Sequence, residues 1–165
     1  MLTRRQIREK VMQAVYACQV SGERPETMFD LLLKEVFLEL KELEEKKKLT
    51  GDTKLLETLY YDSMSHSAQY DKMIMSKAEN WELDRIAIID RILMHMAICE
   101  MLNMENIPVK VTINEYLELA KLYSTPKSNK FINGILDSLY NELHASGKIV
   151  KSGRGLQQGS SKKFR

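Results

Sequence analysis

Three arginines, Arg4, Arg5 and Arg8, crowd the start of a segment whose apolar residues Ile7, Val11, Ala14, Val15 and Cys18 recur at helical spacing. Cations at a helix N-terminus oppose the macrodipole and cost from a few tenths to about 1 kcal/mol each. The placement becomes favourable when an anion arrives, because N-terminal amides and guanidinium forks both accept phosphate oxygens. A merely solvated basic helix end is the competing reading. A second cluster follows Ser124-Thr125-Pro126, where Lys127, Asn129, Lys130 and Phe131 offer charge, an amide and an aromatic ring. Single-stranded RNA is engaged by such groups, backbone charge and base stacking acting together. On spacing alone, Phe131 fits better as the first core residue of its helix. Nothing resembles a catalytic set: His66, His95 and His144 are isolated, and neither a Gly-rich phosphate loop nor a nucleophile motif is present. Asp90 and Glu100, ten residues apart, would be separated by about 15 Å of helical rise, too far for an acid–base pair. The expectation is therefore no enzyme, no metal and no cofactor, with His95 a satisfied buried group.

The elements that must hold these residues are all helical. Thr3 and Gln6 can form a capping box for the first helix, which should end near Ser21-Gly22. After Pro25, the set Phe29, Leu32, Leu33, Val36, Phe37 and Leu40 gives a second amphipathic helix running into the charged stretch 41–48, read as a solvated helix end. Residues 49–52 look like a loop. From Leu55 to Ile74 the pattern is interrupted by Ser63, Ser65 and Ser67 and fits one broken helix or two short ones. The most apolar stretch, about Asp84 to Asn103, predicts the central buried helix, stopped before Pro108. Thr112 and Glu115 read as a capping box, with Val111 and Tyr116 as its staple, for a helix reaching Tyr123. Ser128 is positioned to cap a last helix striped by Phe131, Ile132, Ile135, Leu136, Leu139 and Leu143, with Gly147 as its terminator. Gly134 inside that helix costs near 1 kcal/mol relative to Ala, which suggests another backbone packed against it.

Composition agrees with an all-α domain over residues 1–148 and a flexible basic tail over 149–165. The chain has 165 residues, 44% hydrophobic and 29% charged, enough for one core and too apolar for a disordered chain. Gly and Pro number only seven and three, so turns are few. Cys18 and Cys99 lie in separate helical segments and read as core thiols. With no apolar run of about 18 residues and no signal-like start, a cytoplasmic protein without membrane contact is expected. The net charge of +2 is unevenly spread: residues 1–25 carry +3, 26–62 carry −4, 63–126 carry −3 and 127–165 carry +6. Basic ends suggest a polyanion, and the acidic middle some other partner.

Three blocks then make a specific resemblance, extending from Arg4 to about Leu143. Arg8-Glu9-Lys10-Val11-Met12-Gln13-Ala14-Val15-Tyr16 resembles the R-E-x-x-x-Q-A-L-Y opening of the NusB family. Asp90-Arg91-Ile92-Leu93, Ala97-Ile98-Cys99-Glu100 and the run Ile107 to Glu115 are similar to its L-R-x-A-x-x-E-L and V-P-x-x-V-x-I-N-E-A blocks. Lys130-Phe131-Ile132-Asn133-Gly134-Ile135-Leu136-Asp137 is close to its K-F-V-N-G-V-L-D. The resemblance implies two packed three-helix bundles, about seven helices, and a transcription antitermination factor. It further implies binding of boxA-type single-stranded RNA with the ribosomal protein NusE, within the transcription elongation complex of rRNA operons. Family members also occur as homodimers. Arg4, Arg5 and Arg8 match the family's arginine-rich start and would contact RNA, as would Lys127, Asn129, Lys130 and Phe131, while Tyr16 and Asp90 match positions resembling its NusE surface. Gln6 stands where a basic residue is common, Lys127 where an acidic or neutral one is, and residues 41–75 match poorly. The alternatives are a helical protein-interaction module that does not bind RNA, and a NusB-like domain related to RNA methyltransferases, for which no S-adenosylmethionine domain is present.

Overall fold

The computed structural model describes residues 2–42 and 49–152, apart from the side chains of 37, 39–42 and 49–52. The first helix, α1 (Arg4–Ser21), starts on the expected capping box: Thr3 Oγ1 accepts from the Gln6 amide and Gln6 Oε1 accepts from that of Thr3. It stops at Gly22, whose φ of 69° lies in the left-handed region that glycine enters without penalty. Two further helices, α2 (Pro25–Glu42) and α3 (Leu49–Glu57), pack on α1. Residues 49–52 are thus helical and not a loop; burial of Leu55, Leu56 and Leu59 outweighs the weak local propensity around Gly51. The charged stretch 43–48 lies outside the described residues.

Between Leu55 and Ile74 the helix is broken. α3 continues through a π-helical turn (Thr58–Asp62) into α4 (Ser63–Ser65) and then α5 (Ser67–Met75). The Ser63 hydroxyl donates back to the Leu59 carbonyl, the competing bond by which serine loosens a helix. A 3-10 turn (Leu83–Arg85) and an extended Ile86-Ala87 precede α6 (Ile88–Asn103). The central helix therefore begins four residues later than Asp84, because buried Ile86 anchors an extended entry.

Two more helices, α7 (Val109–Tyr123) and α8 (Pro126–Ala145), follow, and neither is capped as the sequence suggested. α7 starts after Pro108, and Thr112, fully buried one turn inside it, donates its hydroxyl to Glu100 instead of capping. At α8 the cap is Thr125, accepting from the Ser128 amide, with Pro126 in the first turn where its missing N–H costs nothing. Gly147 does close α8, with φ 71°.

The helices form two three-membered sets, α1/α2/α3 and α6/α7/α8, joined where α1 packs on α6; α4 and α5 lean on α6 as well. Eleven of the 16 residues of α6 are buried, and all but Asp90, His95 and Glu100 belong to a single apolar cluster to which nearly every element contributes. Cys18 and Cys99 are both free thiols within the interior, and burial pushes the Cys99 thiol up to about 12. Among the described residues there is no strand, and no helix is long and apolar enough to cross a membrane.

His95 is satisfied within α6: its Nε2 lies 2.7 Å from Asp71 Oδ1, and Arg91 holds the same carboxylate through two hydrogen bonds. Burial lowers the His95 pKa from its ordinary 6.5, outweighing the pull of Asp71. Burial would raise Asp71, but its bonds to Arg91 and His95 win and hold it below the usual range. A lowered histidine is neutral when folded and binds its proton more readily when unfolded. Stability is thus fully present above pH 6.5 and is lost as pH falls from there through the folded-state value. Asp71 adds a separate loss below about pH 4. Urea unfolding followed between about pH 7.5 and 5 should show declining stability, and His95→Gln should flatten that decline. An equally steep decline in the variant would assign the acid sensitivity elsewhere.

Candidate nucleic-acid interface

The N-terminal arginines, adjacent in sequence, have three different fates. Arg8 is only 2% exposed, its guanidinium pairing in bidentate fashion with Glu100 at 2.7 and 2.8 Å. Glu100 is itself fully buried and also accepts from Thr112 and Tyr116, so one carboxylate on α6 ties α1 to α7. Burial would lower the Arg8 pKa, but Glu100 more than compensates and raises it, keeping the charge. The expectation that Arg8 meets phosphate is corrected: its charge is consumed inside the fold. Arg5 is half exposed and bidentate to Glu115, at 2.7 and 2.9 Å. That bond, with the charge of Arg5, holds the Glu115 carboxyl below its ordinary range.

Arg4 is exposed and stands at the junction of two shallow grooves. One, of about 520 Å³, runs between Lys54, the segment Asn103 to Ile107, and Ser152. The other, of about 450 Å³, runs past Thr3, Arg5, Pro108, Val111 and Glu115. The floor of the first is held by the end of the described chain: Lys151 Nζ donates to the Glu100 and Met104 carbonyls, and the Ser152 amide to Glu105. Residues 149–152 are therefore built into the fold, where a free tail was expected; 153–165 lie outside the described residues. Lys54 and Lys151 were not singled out from sequence, because nothing in their local spacing connects them with Arg4.

The second cluster sits at the opposite end of α7. Lys127 and Lys130 are exposed in the first turns of α8. Asn129 is half-buried and spends its amide on the Leu117 carbonyl, at 2.8 Å. Phe131 is half-buried against the core with its free side against Trp81, ring centroids 5.3 Å apart. Both readings of Phe131 thus describe part of its position. Alongside, Glu9 and Gln13 of α1 hold the Tyr123 hydroxyl, and Tyr16 one turn on is 39% exposed. Asp90, expected at a partner surface, is only 4% exposed and accepts the Ser124 hydroxyl, so it braces the α7–α8 turn. The resemblance assigned Tyr16 and Asp90 alike to a partner surface; Tyr16 is exposed, whereas Asp90 is covered from a distant turn.

Two three-helix sets meeting at the central helix α6, with exposed basic residues at the starts of α1 and α8, define a small all-helical fold. Comparison with known proteins makes this specific. The NusB family profile matches residues 5–141. A transcription antitermination protein NusB from Chloroherpeton thalassium is 42% identical over 167 residues, covering 99% of this chain and 74% of its own length. The solved T. maritima NusB superposes with a TM-score of 0.68 at 30% identity, over 86% of this chain and 92% of that one. A chain from a crystal structure of NusB and NusE with double-stranded RNA shares the fold, with a TM-score of 0.65 at 22% identity, over 84% of this chain and 96% of that one. The chain belongs to the NusB family.

Proposed function

We propose that this protein is a transcription antitermination factor that binds boxA-type single-stranded RNA together with the ribosomal protein NusE. In this reading it joins the elongation complex on rRNA operons, in the cytoplasm. The observation that carries the reading is the position of Arg4, an exposed guanidinium at the junction of two grooves and at a helix N-terminus, with Lys54 on one wall and Arg5 on the other. Helix-end amides and clustered cations there suit a phosphate backbone. Lys127 and Lys130 supply a second basic point at the far end of α7, about 20 Å away by helical rise. The family relatives are named for antitermination, and a related fold has been solved with NusE and RNA. The test is titration of a boxA-type RNA oligonucleotide with the protein, alone and with NusE, over a range of salt. Tighter binding with NusE supports the reading, and absence of binding in both cases refutes it.

Tyr16, with Val20 one turn on, offers an exposed apolar spot beside the Tyr123 network and is the proposed NusE contact, with Asp90 supporting it through Ser124. Tyr16→Ala should weaken NusE binding by about tenfold, the effect of losing one aromatic anchor. RNA binding in the absence of NusE should be unchanged. Calorimetric titration with NusE checks this, and an unaltered affinity removes Tyr16 from the interface.

A further inference from the structure

Trp81 is the only tryptophan of the chain, and it is half exposed. Its indole leans on Phe131 with the ring planes at 45°, and together they form two walls of an open notch of about 320 Å³. Ala78, Gly134 and Ile135 line the remainder with the charged residues Lys77, Glu79 and Lys130, and Lys77 is paired with Glu142. The exposed cation of the notch is therefore Lys130, with Lys127 one turn away.

Two features of the notch work against local backbone preference. Asn80, directly before Trp81, has φ 65°, the one non-glycine residue with positive φ among those described. Asparagine tolerates this conformation better than most residues, but it remains uncommon. Gly134 is the second. A Cβ built on it meets nothing within 4 Å, so the sequence-based expectation of a backbone packed against it is corrected. Packing does not require the glycine. It lies in the interior of α8, where Ala would be the better helix former, and its effect is to keep the floor of the notch open. An exposed indole held by a left-handed residue, over a floor cleared at the expense of helix propensity and beside an unpaired lysine, is the combination that takes a flat aromatic ring on an anionic backbone.

We propose that the Trp81–Phe131 notch is a stacking site for one unpaired base of the bound RNA, with Lys130 meeting the adjoining phosphate. This rests on the RNA reading above and adds to it a residue, Trp81, and a base-binding contact that charge alone does not supply. Stacking on an aromatic side chain is tolerant of base identity, so the notch would fix the path of the strand and not its sequence.

The experiment uses the full chain and a fluorescein-labelled boxA-type RNA oligonucleotide, read in parallel by anisotropy and by emission of the sole tryptophan. Emission is expected to be quenched along the same saturation curve as the anisotropy. Trp81→Ala should weaken binding about tenfold, within the range for loss of one stacked base, and Trp81→Phe should recover most of it. Gly134→Ala provides a variant that cannot fail for want of folding: it should raise Tm by roughly 2–4 °C while weakening RNA binding. Opposed signs for stability and affinity are not what a structural glycine would give. Binding by anisotropy with unchanged emission and an unaffected Trp81→Ala variant would overturn the notch and leave the RNA reading standing. Loss of NusE binding in Trp81→Ala with RNA affinity intact would overturn it too, making the notch a protein contact. Absence of any anisotropy change, with or without NusE, would refute both readings together.

Discussion

Replacing Arg8 by Met is expected to destabilise the protein by about 3–5 kcal/mol, the usual consequence of removing one partner from a buried ion pair. Among the described residues the guanidinium is the only positive charge hydrogen-bonded to the Glu100 carboxylate, which is wholly removed from water. Thr112 and Tyr116 would still donate to the carboxylate but cannot neutralise it. The damage should reach both helix sets, since the carboxylate joins α1, α6 and α7. Urea unfolding monitored by far-ultraviolet circular dichroism measures the loss. Replacing Arg8 and Glu100 together by Met should recover a large part of it, because a well-packed apolar pair carries no desolvation penalty. Full stability in the single variant would mean that the pair contributes nothing to holding the sets together.

The second large effect concerns RNA. Arg4→Ala with Arg5→Ala should shallow the salt dependence of RNA binding by about 1.4, at 0.7 per phosphate contact on a single strand. Near 0.1 M salt this corresponds to a loss of affinity on the order of 25-fold. The sequence alone predicts three contacts and a shift of roughly two; the burial of Arg8 reduces the number. Loss of Arg5 also frees Glu115 beside the groove, adding repulsion, so Arg4→Ala by itself is the cleaner measure of one phosphate contact. Stability should change little. Equal salt slopes for the double variant and the parent protein would move the RNA elsewhere, with Lys127 and Lys130 the next place to look.

Helical periodicity was sufficient for the all-helical class, since the stripe of α1 is buried throughout and that of α8 is buried apart from half-buried Phe131, whereas the two-bundle arrangement followed from the family resemblance. Charge was harder to read. Arg4, Arg5 and Arg8 are alike in sequence, and only the distant Glu100 and Glu115 decide that one is internal, one braced and one free. The same limit applies to Thr112, a good cap by its neighbours and a buried donor by its contact with Glu100. Asp90 is covered by Ser124, 34 residues away in the chain, and Gly134 shares an open notch with the distant Trp81. Local pattern specifies which face of a helix is apolar. Pairings across more than ninety residues, such as Arg8 with Glu100, depend on topology that periodicity does not carry.

Arg4 and Ser152 line the same groove, so the two ends of the described chain meet at the face where RNA is proposed to lie. This has a practical side for anyone preparing the protein. A purification tag or fluorophore joined next to Thr3, or to a chain shortened to Ser152, would start beside that groove, where a histidine-rich or acidic extension would compete with phosphate for Arg4. The turn Gly22-Glu23-Arg24 between α1 and α2 is exposed and lies at the opposite end of α1 from Arg4. Probes carried there would report on the molecule while leaving both grooves clear.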